Sequence, residues 1–357
     1  LKQAGGIFVG HTNVPEFVFW FETDNRVFGR TENPWKQGRT SGGSSGGEAA
    51  AIASGMSPLG LGSDVGGSIR EPAHYCGIVG LKATHGRIPL TGHWPDALLR
   101  FNHVGPMART VRDISLSLSV LSGPDGEDPY AVRVPLDDMR DLGDPLPKLR
   151  VGWCATGPFS PVTAEVQTTV ANAAAAFEEM GCHVEQVSLQ QWVEHQAQDV
   201  TSVLYAAEAS HYLGPIIAGR EEQLAPSMQR RLEIATPSLE QYLKALDTCE
   251  ALRQVTARYF GEYDLLLCPT GPVAAHPHDS TELDVDGQKV AARNALRATT
   301  PADVTGSPAL SVPFGWTHDG LPIGVQLIGA HFDEATILRA GSALEAISDA
   351  GSRRPPV

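Results

Sequence analysis

Three common features are missing from this sequence of 357 residues, and each absence excludes a class of protein. No uninterrupted apolar run approaches the roughly 20 residues that a membrane-spanning helix needs, so no membrane span is expected. The chain has 27 Lys and Arg against 41 Asp and Glu, a net charge of −14, which disfavours direct binding to nucleic acid. The five cysteines form no Cys-x-x-Cys pair, which argues against a disulfide framework and a zinc site and indicates a cytoplasmic protein with reduced thiols.

An initiator Met and a signal-peptide pattern are also missing at the start of the chain. The first residues, LKQAGG, are typical of the last turn of a helix that ends in glycine, and IFVG after them is strand-like. We therefore expect residue 1 to be an internal position of a longer protein that lacks its N-terminal portion here.

Alternating strand-like and helix-like segments along the rest of the chain predict an α/β fold. The predicted strands are PLGLGS, which we expect to be buried, IVGLKAT, LRVGWCA, CHVEQVSL, YDLLLCPT and LPIGVQLIG. The predicted helices are EAAAIAS, SIREPAHYCG, 163–181, most of 192–260, and EATILRAGSALEAIS. Two connections stand out: 123–148 as a surface loop between two halves, and the proline-rich 301–315 as an ordered connection that lines a site.

The glycine-rich stretch GRTSGGSSGGEAAAIASGMSPLGLGSDVGGSIREP, residues 38–72, contains Gly-Gly-Ser twice, ending at Ser44 and at Ser68. A flexible linker would be polar on both sides, whereas apolar, regular segments flank these glycines. No Gly-Lys-Ser/Thr follows, so a phosphate-binding loop is excluded. Residues 42–46 satisfy Gly-x-Ser-x-Gly, but WKQGRTS before them is not the apolar strand that a nucleophile elbow requires. A serine hydrolase whose base is not histidine remains as a fourth interpretation.

This fourth interpretation is supported by a resemblance over essentially the whole chain. The stretch from SGGSSGG to GLKATHGR resembles the signature of the amidase signature family, and so do HTNVPEF, FGRTENPW, GPMARTVRD, SPALSVPFG and GLPIGVQLIG. The match is closer to general bacterial and fatty-acid-amide-hydrolase-like amidases than to the A subunits of glutamyl-tRNA amidotransferases. It implies one domain over 1–357 with a large mixed β-sheet flanked by helices on both faces, in which 1–125 and 263–350 form the catalytic core and 149–262 a β-α-β and helical region packed on it.

The resemblance also implies the chemistry, which is hydrolysis of a carboxamide to an acid plus ammonia or an amine through a serine acyl-enzyme, without a cofactor or metal. Ser68 matches the nucleophile, and Ser44 matches the bridging serine, whose backbone has a cis peptide in the family. The oxyanion of such an intermediate needs preorganised backbone N–H donors, which a loop leading into a helix N-terminus supplies. The expected oxyanion hole consists of the backbone amides of Val65, Gly66, Gly67 and Ser68, with the two glycines leaving room for substrate.

Supporting roles are expected for three neighbours of the two serines. Asp64 and Arg70 should hold the loop through buried ion pairs or hydrogen bonds. Ser45 either donates a supporting hydrogen bond or caps the helix EAAAIAS. Cys76 could be a nucleophilic thiol, although a small buried apolar residue is the simpler interpretation.

The family mechanism also needs a neutral lysine base, and this sequence does not supply it at the matching place. Lys2 and Lys82 do not match that base, and Lys36 is a weak substitute expected near the surface. We expect the base upstream of residue 1; the alternative is that the protein has lost it. A Ser-His-Asp arrangement stays open through three histidines near Ser68: His74, His85 and His93.

The substrate is expected to be a small-molecule amide, and the candidate acyl pocket consists of Val18, Phe19 and Trp20, which indicate an apolar or aromatic acyl group. Core packing explains the same three residues equally well. A homodimer is the candidate assembly. Two further hypotheses stay open: an A-type amidotransferase protein that releases ammonia from glutamine, and an inactive amidase-like binding or scaffold protein.

Overall fold

The computed structural model describes residues 1–136, 142, 146 and 148–356. Eight strands form its central sheet: β5 (Leu59–Asp64), β6 (Val79–Lys82), β7 (His103–Ala108), β8 (Arg150–Trp153), β9 (His183–Gln186), β10 (Leu265–Pro269), β13 (Ala309–Trp316) and β14 (Pro322–Ile328). Three two-stranded ribbons accompany it: β1 (Asp24–Asn25) with β2 (Gly29–Arg30), β3 (Glu32–Asn33) with β4 (Lys36–Thr40), and β11 (Glu282–Val285) with β12 (Gln288–Ala291).

Eleven α-helices lie within the described residues: α1 (Gly46–Ala53), α2 (Arg70–Cys76), α3 (Val111–Leu121), α4 (Ala164–Glu179), α5 (Gln190–His195), α6 (Ala197–Tyr212), α7 (Gly214–Ile217), α8 (Pro226–Leu232), α9 (Leu239–Glu262), α10 (Thr300–Thr305) and α11 (Glu334–Ile347). Short 3-10 turns occupy Lys2–Ala4, Glu16–Val18, Gly157–Phe159, Glu221–Gln223, Ala292–Leu296 and Ala350–Ser352. In this part of the chain no helix has both the length and the apolar character needed to cross a membrane.

The strand order of the central sheet is β5-β7-β6-β13-β14-β10-β8-β9. The pairs β10–β8 and β8–β9 are parallel, and the others are antiparallel. The parallel pair β8–β9 is joined through α4, as the predicted β-α-β unit requires. The sheet is therefore mixed.

Helices cover both faces of this sheet, because successive side chains of a strand point in opposite directions. Along β10, Leu265 and Leu267 pack in the apolar cluster that contains residues of α3, α4 and α11. Leu266 and Cys268 pack in the cluster that contains residues of α6, α9 and α10. The α/β fold with a mixed central sheet and helices on both faces is confirmed.

Three expectations about individual segments were wrong. Residues 7–10 form no strand; Ile7 and Val9 are 90% and 83% exposed, and no described strand pairs with them. The strand at PLGLGS is not fully buried, because β5 is an edge strand that pairs only with β7 and leaves Leu61 exposed. The 301–315 segment is not a connection but holds α10 and most of β13.

The prolines of 301–315 explain that last error. Pro301 occupies the first turn of α10, where a missing N–H removes no helical hydrogen bond. Pro313 lies where the register of β13 against β14 shifts, a place where a strand tolerates proline. The expected surface loop 123–148 forms no helix or strand from 123 to 136, while its residues 137–141, 143–145 and 147 lie outside the described residues.

Candidate active site

Ser68 lies in the short loop that connects the edge strand β5 to α2. Its side chain is half-buried and lines two cavities, a large one of about 340 Å3 and a much smaller one. Ser44, which is only 2% exposed, lines the smaller cavity as well. The structure therefore brings the two predicted serines to one site, and the backbone N–H of Ser45 links them by donating to the carbonyl of Ser68 at 3.2 Å.

The carboxylate of Asp64 fixes the conformation of the Ser68 loop. Its Oδ1 accepts from the backbone N–H of Gly67 at 2.6 Å, and its Oδ2 accepts from that of Ile69 at 3.1 Å. Arg70 donates to the same two oxygens, each at 2.9 Å, and both side chains are fully buried. Burial alone would raise the pKa of Asp64, but the charge of Arg70 and its hydrogen bonds lower the pKa to about 2. The expected pairing of Asp64 and Arg70 is present as a bidentate contact.

The Arg70 guanidinium ties this loop to a segment more than 200 residues away. It donates to the carbonyl of Thr299 and to Gln326 Oε1, both at 2.7 Å, and to Asp303 Oδ2 at 2.7 Å. Burial raises the pKa of Asp303 well above its ordinary value, although Arg70 opposes this rise. Sequence reasoning missed Asp303, because nothing local indicates that α10 packs beside the Ser68 loop.

The contacts of Asp64 reduce the number of free N–H donors in the predicted oxyanion hole. The Gly67 N–H is already bound by Asp64, so it is not free to donate to an oxyanion. Among the described residues, none accepts a hydrogen bond from the N–H groups of Val65, Gly66 or Ser68. Three of the four predicted donors in this loop are thus available.

The two glycines before Ser68 have different reasons to be glycine. Gly67 has φ +136°, and a Cβ there would lie 2.3 Å from Thr299 Oγ1, so it is required by protein packing and not by substrate. Gly66 lines the large cavity, and a Cβ there would meet only Leu296 at 3.5 Å and Tyr205 at 3.9 Å. A side chain at Gly66 would therefore extend into the large cavity.

The backbone around Ser44 has an unusual conformation that α2 holds in place. The Gly43–Ser44 peptide bond is cis, as the resemblance implies. The Gly43 N–H donates to Glu71 Oε2 at 3.0 Å, and the Ser44 carbonyl accepts from Thr23 Oγ1 at 3.3 Å. Burial raises the pKa of Glu71 well above its ordinary value. Ser45 begins α1 without a side-chain capping bond, and its contribution to the site is the backbone link to Ser68.

The lysines of the chain do not provide a base beside Ser44. Lys82 is fully buried in β6, and burial lowers the pKa of its ammonium group to about 7. Its Nζ donates to the Ser307 carbonyl, and Lys82 lines neither cavity that Ser68 reaches. Lys36 forms an exposed ion pair with Asp319 at 2.6 Å, as a surface residue would. Lys82 therefore has a pKa suited to a general base, but it does not lie beside Ser44.

The three candidate histidines differ in their positions. Both ring nitrogens of His74 are used, since Nε2 contacts the Val273 carbonyl at 2.9 Å and Nδ1 accepts from the Gly324 N–H at 2.7 Å. His85 contacts the Leu99 carbonyl and lines neither cavity. His93 lines the smaller cavity with Ser44 and Ser68, and its burial lowers its pKa. It is the histidine that the structure brings to the serines.

A thiol or metal mechanism has less support in the described residues. The Cys76 side chain is fully buried and burial raises the pKa of its thiol, which fits a small apolar core residue. No group of three His, Cys, Asp or Glu in the described ranges is arranged to hold a metal ion.

Val18, Phe19 and Trp20 line the large cavity beside Ser68, where the predicted acyl pocket should be. The opposite walls come from α6, α8 and the segment before α10, including Tyr205, Arg231 and Leu296. No local pattern indicated these wall residues, because their segments lie 130 or more positions after Ser68.

Comparisons with known proteins show the family to which the chain belongs. A family model described as Amidase matches residues 1–338. The A subunit of the glutamyl-tRNA(Gln) amidotransferase of Methanococcoides burtonii is 34% identical over 380 residues, covering 99% of this chain and 78% of that relative. The crystal structure of a bacterial aryl acylamidase of the amidase signature enzymes superposes with a TM-score of 0.89 at 29% identity, covering 99% of this chain and 77% of that one. The corresponding A subunit from Thermotoga maritima superposes with a TM-score of 0.81 at 30% identity, covering 97% of this chain and 75% of that one.

Proposed function

Because the chain belongs to the amidase signature family of hydrolases, we propose that it cleaves a carboxamide to a carboxylic acid and ammonia or an amine, with Ser68 as nucleophile. The observation that supports this proposal most directly is the shared cavity of Ser44 and Ser68, next to a loop with three free backbone N–H groups. A second hydroxyl beside a nucleophilic serine can relay its proton, and free N–H groups can stabilise an oxyanion.

In the proposed reaction, Ser68 Oγ attacks the amide carbon while its proton passes to Ser44 Oγ. The hydroxyl proton of Ser44 passes in turn to the base, for which we propose a lysine upstream of residue 1. The N–H groups of Val65, Gly66 and Ser68 hold the oxyanion. When the C–N bond breaks, the leaving nitrogen takes a proton through Ser44, and water then hydrolyses the acyl ester to free Ser68.

Two substrate hypotheses remain for this chemistry. The curated relatives favour an A-type amidotransferase protein that releases ammonia from glutamine and works with partner subunits, since the M. burtonii relative at 34% identity is one example. The aryl acylamidase superposes with the higher TM-score, which favours a free-standing amidase. A closer relation to general amidases stays a prediction, as do the homodimer and the cytoplasmic location.

Labelling with a fluorophosphonate, followed by intact-mass measurement, tests the nucleophile. We expect one adduct on the wild type and on Ser119→Ala, an exposed serine of α3 used as control, and none on Ser68→Ala. Ser44→Ala should slow labelling strongly, because the proton relay is lost. Labelling of Ser68→Ala at the wild-type rate would refute the assignment, and an unlabelled wild type would favour the scaffold hypothesis.

Ammonia release from glutamine, together with stable co-purification of partner subunits, would support the amidotransferase hypothesis. Hydrolysis of other amides by the isolated chain would support the free-standing amidase. Ser68→Ala must abolish either activity if the proposed nucleophile is correct.

A further inference from the structure

The charged residues that line the large cavity are all of one sign. Three arginines line it, Arg230 and Arg231 at the end of α8 and Arg293 in the turn before α10. None of the described residues that line this cavity is Asp or Glu. The chain as a whole has a net charge of −14, so a cavity lined only by positive charge is a local departure from its composition.

Arg230 is exposed, and the other two guanidinium groups differ in what neutralises them. Arg293 donates to Asp199 Oδ1 at 3.2 Å and to Ser202 Oγ at 3.0 Å, and both it and Asp199 are largely exposed. Arg231 is half-buried, and among the described residues no carboxylate forms an ion pair with it. Its guanidinium lies over the Tyr205 ring, 5.0 Å from the ring centre. Arg231 is thus a partly desolvated cation whose described neighbour is an aromatic face.

A guanidinium in this state favours an anionic ligand. Burial lowers the pKa of Arg231, and the nearby positive charge of Arg293 lowers it further, which means that the cavity holds this charge at a cost. A carboxylate or similar anion would remove that cost and can accept two parallel hydrogen bonds from the planar group.

The remaining lining of the cavity determines which substrates can use Arg231. Phe19, Trp20 and Leu296 give it apolar walls suited to the carbon chain or ring of an acyl group. An ammonium group on that acyl part would face three guanidiniums and no lining carboxylate, because Asp199, the acid beside Arg293, is already paired with it.

We propose that the cavity selects amides whose acyl part carries an anionic group and no cationic group, such as the monoamide of a dicarboxylic acid, and that Arg231 is the residue that binds this anion. The proposal rests on the proposed function, because it takes the cavity beside Ser68 as the acyl site. It distinguishes between the two substrate hypotheses, since the α-ammonium of glutamine has no acidic partner there.

A set of three amides tests the charge preference one group at a time. Glutaramate is glutamine without its α-amine, and butanamide is glutaramate without its carboxylate. We expect kcat/KM for ammonia release to be at least about tenfold higher for glutaramate than for glutamine or for butanamide, because paired and like charges in a partly desolvated site differ by that much or more.

The variant Arg231→Met tests the residue, since methionine keeps an unbranched apolar stem and removes the charge. We expect kcat/KM for glutaramate to fall by about 10²-fold, as truncation of one member of a buried charge pair typically does, and that for butanamide, which has no anionic group, to change far less. Arg231→Lys should retain part of the activity towards glutaramate. Arg258→Met, on the exposed side of α9 and outside the cavity, is the control that changes net charge equally.

Binding to Ser68→Ala, measured by calorimetry, gives a readout that needs no turnover. Glutaramate should bind this variant more tightly than butanamide does, and Arg231→Met in the same background should remove the difference. Equal binding of the two amides, a preference for glutamine, or an equal loss for all amides in Arg231→Met would overturn the inference. These results leave the proposed function standing, whereas fluorophosphonate labelling without a requirement for Ser68 would refute that function whatever the charge preference.

Discussion

Replacing Asp64 or Asp303 by asparagine gives a matched test of which carboxylate holds the loop of the proposed nucleophile, Ser68. Both carboxylates are fully buried and both accept from the same Nη2 of Arg70. Asp64 accepts four hydrogen bonds, from the N–H groups of Gly67 and Ile69 and twice from Arg70. Asp303 accepts one from Arg70, and its Oδ1 has no hydrogen-bond partner among the described residues.

The magnitude of the Asp64→Asn effect follows from these bonds. The new NH2 group replaces one acceptor oxygen and so faces two donors, which loses two hydrogen bonds, one of them charged on both sides. At roughly 1.5–3 kcal/mol for each of these two bonds, the free energy of unfolding should fall by about 3–6 kcal/mol. The loop amides also lose their anchor, and misplacing one oxyanion donor should lower kcat by about 10²–10³-fold.

The pKa shifts of the two carboxyl groups imply opposite effects of ionisation on the stability of the fold. The pKa of Asp64 falls from 3.8 to about 2 on folding, so its ionised form stabilises the fold above pH 3.8, by on the order of 2 kcal/mol, and this stabilisation is lost as the pH falls through 2. The pKa of Asp303 rises on folding, so ionising it destabilises the fold as the pH rises. Asp303→Asn removes that penalty and should change stability by only about 1 kcal/mol at pH 7.

Urea-induced unfolding at pH 7 and ammonia release from an accepted amide measure the two effects. Asp303→Asn is the internal control, because it makes the same chemical change beside the same guanidinium. If Asp303→Asn destabilises the protein as much as Asp64→Asn does, or if Asp64→Asn keeps wild-type kcat, the account of Asp64 as the anchor of the Ser68 loop is wrong.

Three further predictions concern the same site. Gly67→Ala should unfold at clearly lower temperature because its φ is positive and its Cβ has no space, whereas Gly66→Ala should keep its stability and raise KM by occupying the cavity. Glu71→Gln should retain activity since it can still accept from the Gly43 N–H, while Glu71→Leu should lower kcat through Ser44. The pKa of His74 falls from 6.5 to about 4 on burial, so unfolding free energy should drop by up to about 3 kcal/mol from pH 6.5 to 4, and less in His74→Asn.

Thermal unfolding, steady-state kinetics and urea titration across pH check these three in turn. The first prediction is wrong if Gly66→Ala is as unstable as Gly67→Ala, and the second is wrong if the two Glu71 variants have equal kcat. The third is wrong if His74→Asn leaves the pH dependence of the unfolding free energy unchanged.

Local patterns predicted much of the fold because the elements concerned are fixed by nearby residues. The 163–181 helix was found from its apolar spacing and from Gly181, which has φ +89° and ends α4. The pairing of Asp64 with Arg70 was predicted because the two residues are only six positions apart, on either side of one glycine-rich loop. The strand IFVG was wrongly predicted, since a strand-like composition does not provide a neighbouring strand to pair with.

Long-range packing accounts for what the sequence did not predict at the site. Asp303 reaches Arg70 across 233 positions, and nothing in the sequence around either residue indicates this contact. The engagement of the Gly67 amide by Asp64 depends on the turn of the loop, so four oxyanion donors were predicted where three are free. Lys82 has a pKa lowered by burial but lines neither cavity with the serines, so a base upstream of residue 1 stays a prediction.

The proposed catalytic residues are close in sequence, whereas the cavity walls come from distant segments. This difference explains why family membership does not identify the substrate. The two serines, the amides proposed as oxyanion donors and the Asp64 anchor all lie within residues 38–72, so the proposed chemistry rests on one continuous stretch. The walls of the proposed acyl site come from Phe19 and from α6, α8 and the turn before α10. Substitutions in those walls change the charge of the cavity without touching the catalytic loop. A relative of about one-third identity can therefore share the reaction and differ in its amide, and Arg231 is the residue at which that difference is measurable.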